Sequence, residues 1–150
     1  MKYIDGDIIK LAKEGNFDVI GHGCNCFLTM GAGLALKIKQ TWPSVAMADA
    51  CTKKGDKTKL GTFTFLDTFE TNELTILNLY TQFGYDSFVP QVDYSAIREC
   101  MAGIKKRYSG KRIGLPLIGA GLGGGDWNII SQIIEDELGD EDVTIVKFKR

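Results

Sequence analysis

Two glycine-rich turns constrain this chain more than any other feature. One spans residues 30–33 and follows an apolar, strand-like run at 17–20; the other spans 119–127 and follows a similar run at 113–118. A turn without Cβ atoms lets backbone N–H groups approach phosphate oxygens, and a helix that begins just after it adds a positive dipole end. Both turns would lie at the carboxyl edge of one sheet, where open α/β sheets bind ligands. One such turn would also fit a tight bend without a ligand, but the pair predicts a diphosphate cradle.

Length and composition indicate one globular domain. The 150 residues, 44% hydrophobic and 25% charged, suit a single core that needs neither disulfides nor metal. With a net charge of −1, the chain lacks the excess positive charge that would bind unmodified nucleic acid. We expect the lysines at 53, 54, 57 and 59 to lie on a solvated loop. No apolar segment approaches the roughly 20 residues that cross a bilayer, and the amino terminus lacks a signal-peptide pattern. We therefore expect a cytoplasmic monomer with no membrane partner and with reduced cysteines.

Strand-like and helix-like blocks alternate along the chain. Strands are predicted at 1–5, 17–22, 62–69, 73–81, 111–116 and 143–149, and helices at 8–14, 33–42, 44–54, 93–108 and 126–138. Pro43 is expected to stop the second helix, and Ser44, Asp93 and Asp126 to cap the three that follow. The strands at 62–69 and 73–81 form a plausible hairpin around 70–72. This order predicts one domain over 1–150, a three-layer α/β/α sandwich with a mixed central sheet.

Three motifs in this order resemble the signature of the macrodomain family. They are the segment at 6–8 after the first strand, Asn25 with the turn at 31–33 after the second, and the run at 116–124. The similarity spans nearly the whole chain. The segments at 22–33 and 121–127 are similar to the branch of terminal ADP-ribose protein glycohydrolase and of the antitoxin that strips ADP-ribose from DNA; a related branch dephosphorylates ADP-ribose 1″-phosphate. The resemblance implies a macrodomain fold, an ADP-ribose pocket and a hydrolase acting on ADP-ribose or an ADP-ribosylated substrate.

The resemblance also implies a position for each part of the ligand. The Asp7 carboxylate would accept a hydrogen bond from the adenine amine, although on local grounds it serves equally well as a helix N-cap. Ile8 would add a backbone contact and an apolar wall. The two turns would hold the phosphates, leaving the distal ribose between Asn25 and the second turn. No cofactor is expected. The predicted ligand-binding residues are Asp7, Ile8, Gly31, Ala32, Gly33, Leu34, Thr81, Gln82, Gly119, Ala120, Gly121, Leu122 and Gly123.

The catalytic residues of the glycohydrolase branch are not matched. The resemblance implies a nucleophilic lysine where this chain has Gln82, and an acidic residue where it has Gly123. Glutamine cannot form such a covalent intermediate, so we expect water to attack the distal ribose C1″ or a phosphate attached there. Asn25 would fix the ribose hydroxyls, and Asp126 or His22 would handle the proton. Each residue also has a purely structural interpretation: Asp126 as a helix N-cap, and His22 as a histidine at a strand end that is hydrogen-bonded to the backbone.

Two further interpretations stay open at this stage. Water attack without a protein nucleophile would be slow, so a non-catalytic ADP-ribose reader competes with the hydrolase. The alternating His22, Cys24 and Cys26, with Cys51 as a fourth ligand, favour a metal site only weakly, because alternate strand residues lie about 6 to 7 Å apart. We expect no metal. The aromatic side chain that would cover the adenine or the distal ribose is one of three: Tyr80, Phe83 and Tyr85.

Overall fold

A computed structural model describes residues 1–70, 73–85 and 90–149. The strands are β1 (Lys2–Gly6), β2 (Val19–Cys24), β3 (Phe63–Thr68), β4 (Leu74–Tyr80), β5 (Arg112–Leu115) and β6 (Asp142–Phe148). The α-helices are α1 (Ile8–Lys13), α2 (Gly33–Thr41), α3 (Pro43–Ala50), α4 (Tyr94–Tyr108) and α5 (Trp127–Leu138), and a short 3-10 turn covers Lys57–Lys59. No described helix is both long and apolar enough to span a bilayer.

The strands form one six-stranded sheet in the order β1-β6-β5-β2-β4-β3. All neighbours are parallel except β3, which pairs antiparallel with β4. The mixed sheet and the hairpin are therefore confirmed. Positions 71 and 72 of the predicted hairpin turn lie outside the described residues. Because five parallel strands end at one edge, the segments that follow them converge there.

Helices cover both faces of the sheet, which confirms the three-layer α/β/α sandwich. Alternate strand residues point to opposite faces, so Val19 packs on one side and Ile20 on the other. Helices α4 and α5 bury residues such as Ile97 and Ile130 on the first face. Helices α1, α2 and α3 bury Ile8, Ile38 and Val45 on the second. Packing on both faces of the sheet therefore holds the strand ends in fixed positions at its carboxyl edge.

The structure corrects the prediction for the segment after the second helix. Ser44 does not cap α3: the helix begins at Pro43, its N-cap position is Trp42, and no side chain caps it. Proline is well suited to the first helical position, because the N–H that it lacks would have no intrahelical partner there. The helix ends at Ala50 rather than near residue 54. Lys59 is not solvated either, because it is buried and donates a 3.4 Å hydrogen bond to the Cys26 carbonyl.

Candidate ligand-binding cleft

A cleft of about 880 Å³ opens at the carboxyl edge of the parallel strands. Its walls come from the ends of β1, β2, β4, β5 and β6 and from the segments that follow them. Every predicted ligand-binding residue lines it, and so do His22 and Asn25, whereas Asp126 does not. Segments separated by more than 100 residues in the sequence thus meet in one concave site, of the size that ligand pockets commonly have.

Asp7 caps the helix that starts at one end of the cleft. Its Oδ1 accepts hydrogen bonds from the backbone N–H groups of Ile9 (3.0 Å) and Lys10 (3.3 Å). Oδ1 of Asp7 therefore acts as the helix N-cap. A carboxylate has a second oxygen with its own lone pairs, so capping leaves Oδ2 able to accept from a ligand amine. The adenine role of Asp7 stays a prediction.

Phe148 is a wall of the cleft that the sequence analysis missed. It is the last residue of β6 and stands opposite Gly6 in the parallel pairing, and both Phe148 and Asp7, the residue after Gly6, line the cleft. The ring is 57% exposed, and Lys37 Nζ lies 4.1 Å from its centroid. An exposed aromatic ring next to a carboxylate is suited to stack a planar base. The sequence shows an aromatic residue at the end of a strand, but only the strand order shows that β1 ends next to it.

The two glycine turns form the middle of the cleft. A Cβ added at Gly31 or Gly121 would meet no atom within 4 Å, so the backbone there is open to the cleft. Gly119 has φ of +76°, and a Cβ there would lie 2.9 Å from Val92 and 3.1 Å from Ile130, so this position needs glycine. The two turns approach each other through Leu122, whose Cδ1 is 3.1 Å from the Cβ position of Gly33. The two turns therefore meet in the middle of the cleft.

Helix α2 adds its amino terminus to this part of the cleft. It begins at Gly33, and no side chain caps its first turn. The first N–H groups of a helix have no intrahelical acceptor and carry the positive end of the helix dipole. An anion seated on the first turn would therefore be favoured without any lysine. Among the described residues that line the cleft, Asp7 is the only acidic side chain, and Lys37 is the only basic one besides the imidazole of His22.

Asn25 holds the loop that leads into the first turn. Its Oδ1 accepts from the Phe27 N–H (2.8 Å), and its Nδ2 donates to Thr29 Oγ1 (2.6 Å). The loop includes Leu28 with φ of +62°, an unusual conformation for a branched residue. Asn25 therefore shapes the loop as well as lining the cleft. Its predicted contact with ribose hydroxyls stays a prediction.

Thr81 presents a buried hydroxyl in the cleft wall. The residue is 1% exposed, and its Oγ1 makes no hydrogen bond to any residue that the structure describes. The hydroxyl fits against Gly23, where a Cβ would lie only 2.8 Å from Oγ1. A buried hydroxyl without a hydrogen bond is costly. This unpaired atom is therefore a candidate contact for a ligand hydroxyl.

Gln82 and Gly123 lie side by side in the cleft. Gln82 Oε1 is 3.1 Å from the Cβ position of Gly123, and Gln82 Nε2 donates to the Gly84 carbonyl at 2.7 Å. These are the positions at which the resemblance implies a lysine and an acid. The fold brings the two positions together, and this chain fills them with an amide and a bare backbone. No side chain there can attack carbon or take up a proton at neutral pH.

His22 is buried at the cleft wall, and its partner is a side chain rather than the backbone. Its Nε2 lies 2.6 Å from Asn78 Oδ1, and the residue is 1% exposed. Burial lowers the pKa of His22 to about 4, against a smaller opposing effect from the Asn78 hydrogen bond. The imidazole is therefore neutral at physiological pH. An exposed histidine has a pKa near 6.5, so burial moves His22 out of the range in which it would exchange a proton at neutral pH.

Asp126 is a helix cap. Its carboxylate accepts from the Asn128 N–H at 2.9 Å at the start of α5, and its own N–H donates to Tyr94 Oη at 3.0 Å. It lies outside the lining of the cleft. Asp126 therefore acts as the N-cap of α5, and its position outside the cleft gives no support to the predicted role as a general base.

The metal alternative gains no support from the arrangement of its ligands. Cys26 Sγ turns away from His22 and donates to the Gln82 carbonyl at 3.6 Å, and Cys51 is exposed on the surface. In the part of the chain that the structure describes, no group of three or more His, Cys, Asp or Glu side chains is placed to hold a metal ion. Each cysteine is a free thiol.

Tyr85 is the member of the predicted aromatic set that lines the cleft. It is 64% exposed, and its ring centroid lies 5.9 Å from that of Phe27. Tyr80 is buried in the core, and Phe83 packs edge to face against Phe27 at 4.8 Å. Tyr85 is thus placed to cover a ligand at the end of the cleft near Gln82, opposite Phe148.

Comparison with known proteins identifies the family. A model of the Macro domain matches residues 22–134. An uncharacterized 17.5 kDa protein from the tk-vs intergenic region of Enterobacteria phage T4 is 39% identical over 155 residues, covering 99% of this chain and 97% of that protein. The chain therefore belongs to the macrodomain family, and the resemblance in the motifs is confirmed.

Solved structures show the same fold. A protein of unknown function from Bacteroides thetaiotaomicron aligns with a TM-score of 0.78 and 27% identity, covering 97% of this chain and 96% of that one. Thermosipho africanus DarTG, solved in complex with ADP-ribose, aligns with a TM-score of 0.76 and 21% identity, covering 100% of this chain and 43% of that one. The architecture is therefore that of macrodomains.

Proposed function

We propose that this protein binds ADP-ribose in the cleft. The observation that carries the proposal is the meeting of both glycine turns in one cleft, with an aromatic ring and a carboxylate at one end and polar groups at the other. Membership of the macrodomain family and the ADP-ribose complex of Thermosipho DarTG support it. The adenine would stack on Phe148 with its amine at Asp7. The diphosphate would lie on the turns.

The distal ribose would then reach the end of the cleft formed by Asn25, Thr81 and Tyr85. The unpaired Thr81 hydroxyl would gain its missing hydrogen bond there. Neutral backbone donors would hold the diphosphate, so binding would depend on the shape of the turns more than on a cluster of cations. We also propose that the protein is a cytoplasmic monomer and that it does not bind unmodified nucleic acid, as expected from the sequence.

We further propose that the protein hydrolyses a bond at the distal ribose. Two reactions fit: release of phosphate from ADP-ribose 1″-phosphate, and release of ADP-ribose from a modified macromolecule. In the second, a water oxygen bonds to C1″ while the bond from C1″ to the leaving group breaks; the water proton leaves and the departing group gains one. The backbone turns would hold the diphosphate so that the reacting carbon is already oriented. Water would be the nucleophile, because the Gln82 amide cannot attack carbon.

A non-catalytic reader is the second candidate, and the pair formed by Gln82 and Gly123 favours it. The two positions face each other, and neither offers a nucleophile or an acid. A non-catalytic reader needs only a cleft that binds ADP-ribose and no catalytic side chain.

Incubation with three substrates separates these functions. Purified protein is mixed with ADP-ribose 1″-phosphate, with glutamate-linked ADP-ribose and with thymidine-linked ADP-ribose, and released products are separated by chromatography. Catalytic release from any one substrate assigns a hydrolase and its reaction class. Saturable binding of ADP-ribose without release assigns a reader. No binding of any of the compounds contradicts the proposed cleft function.

A further inference from the structure

The side chain of Asn78 fixes which nitrogen of His22 carries the proton. The two residues stand directly opposite each other on β4 and β2, and both are buried. Asn78 Nδ2 lies 3.0 Å from the carbonyl oxygen of Val45, which can only accept a hydrogen bond. The amide nitrogen must therefore face Val45, and Oδ1 must face His22 Nε2 at 2.6 Å. Because Oδ1 only accepts, Nε2 is the protonated ring nitrogen and Nδ1 carries a lone pair.

The hydrogen bonds beyond Asn78 run in the same direction. Asn78 Nδ2 also donates to Thr64 Oγ1 at 3.1 Å. Thr64 Oγ1 lies 3.0 Å from Tyr80 Oη, which donates to the buried carboxylate of Asp49 at 2.7 Å. Since the Tyr80 proton is committed to Asp49, the Thr64 hydroxyl donates to Tyr80. Hydrogen bonds in such a chain polarise and reinforce one another.

Cys24 lies beside the imidazole, at similar distances from both ring nitrogens. Its Sγ is 3.8 Å from Nδ1, 3.7 Å from Nε2 and 3.9 Å from Asn78 Oδ1, and both His22 and Cys24 line the cleft. Burial raises the pKa of the Cys24 thiol well above its usual value, so the thiol keeps its proton. With Nε2 protonated, the acceptors in reach of this weak donor are Nδ1 and Asn78 Oδ1. An S–H group is a poor donor, so a water or ligand hydroxyl that reaches Nδ1 would replace it at little cost.

We propose that Asn78 is a positioning residue that holds His22 as the Nε2–H tautomer, so that the Nδ1 lone pair accepts a hydrogen bond from a water or hydroxyl in the cleft. This role rests on the proposed function, because it places the acceptor beside a ligand in that cleft. Asn78 itself is fully buried on the sheet and acts through His22.

The chain has a single histidine, which makes the tautomer directly measurable. In nitrogen-15-labelled protein near pH 7, we expect Nε2 to show the chemical shift of a protonated ring nitrogen and Nδ1 that of an unprotonated one. Saturation with ADP-ribose should shift the Nδ1 resonance more than the Nε2 resonance. A protonated Nδ1 in the wild-type protein, or an Nδ1 resonance that does not respond to ADP-ribose, would overturn the proposal.

Two variants test the part played by Asn78. N78L removes the acceptor, and we expect a mixture of tautomers; retention of the Nε2–H tautomer in N78L would overturn the positioning role. T64V is the matched control, because Asn78 stays anchored by Val45, so the wild-type tautomer should persist. Loss of that tautomer in T64V would also contradict Asn78 as the determinant. The wild-type spectra decide the question even if N78L does not fold.

The functional readout separates positioning from a structural role. If wild-type protein turns over a substrate, N78L should lower kcat by about tenfold or more with KM changed little, since the turns that hold the diphosphate are intact. A parallel loss of ADP-ribose affinity and thermal stability, with kcat unchanged, would indicate a structural role. Failure of the wild-type protein to bind ADP-ribose contradicts the proposed function instead, and that result is independent of the tautomer measured in the free protein.

Discussion

Burial of His22 couples its protonation to folding. The pKa is about 4 in the folded protein and about 6.5 for an exposed histidine. Between these values the unfolded chain binds a proton that the folded protein does not, so the free energy of unfolding falls as the pH is lowered from 6.5 to 4. The expected loss is about 3 kcal/mol, and it should level off below pH 4. Urea unfolding at a series of pH values measures it.

The control for this prediction is H22Q, which removes the titrating group. The slope of stability against pH between 4 and 6.5 should be flatter in H22Q by the amount assigned to His22. Equal slopes in both proteins would show that folding does not lower the pKa of His22.

The unpaired hydroxyl of Thr81 predicts opposite effects on stability and binding. T81V replaces it with a methyl group of similar shape, so the free energy of unfolding should rise by about 1 kcal/mol. ADP-ribose affinity should fall by about three- to tenfold, because the ligand loses a hydrogen bond. Calorimetric titration and urea unfolding measure the two effects. T81S keeps the hydroxyl and should keep the affinity; undiminished affinity in T81V would remove Thr81 from the site.

Single residues differed in how far local sequence could predict them. Asp126 and Asp7 cap the helices that follow them, because an N-cap acts on N–H groups two or three residues away. Asn78 was not recognised, because its role depends on a neighbour 56 positions away across the sheet. Contacts of this kind are set by strand register, which a single sequence does not specify.

At the scale of elements, the second glycine turn can be tested for its open backbone. G121A adds a methyl group that meets no protein atom within 4 Å, so stability should stay within about 0.5 kcal/mol of the wild type. The methyl group would project where a phosphate approaches, so ADP-ribose affinity should fall about tenfold or more. Titration calorimetry measures this loss.

G110A is the matched control for this variant. Gly110 also has open space around its Cβ position, but its φ is +85° and it lies outside the cleft. This substitution should cost about 1 kcal/mol of stability, owing to the left-handed backbone, and leave the affinity unchanged. Full affinity in G121A would show that the turn does not hold the diphosphate.

The cap of α5 predicts a stability effect without an effect on the ligand. D126A should lower the free energy of unfolding by about 1 kcal/mol, and D126N should restore it, since asparagine caps as well as aspartate. ADP-ribose affinity should be the same in all three proteins. If wild-type protein is catalytic, loss of turnover in D126N with stability retained would contradict the capping role and return Asp126 to the site as a base.

Elements were predicted well where the pattern is local. The β3 and β4 hairpin followed from dense β-branched and aromatic residues, and α4 and α5 from apolar spacing behind a capping aspartate. Helix α3 was placed less well, because proline both stops one helix and starts the next. Ser44 looked like a cap only while Pro43 was assigned to the end of α2.

At the scale of the whole molecule, the cleft was predictable because its parts follow parallel strands. The glycine turns after β2 and β5 must meet at one edge of the sheet because these two strands are parallel. In the structure, Leu122 of the second turn contacts Gly33 of the first. Phe148 was not predictable, because its place beside Gly6 requires β6 to lie next to β1. The depressed pKa of His22 likewise follows from burial by the assembled sheet and helices.

Calorimetric titration of the wild-type protein with ADP-ribose tests directly whether the cleft binds this ligand. We expect saturable binding of one ligand per chain, with adenosine diphosphate binding more weakly because it lacks the distal ribose that would reach Thr81 and Tyr85. Absence of heat at high ligand concentration, together with no rise in thermal stability, would contradict the assignment of the cleft to ADP-ribose.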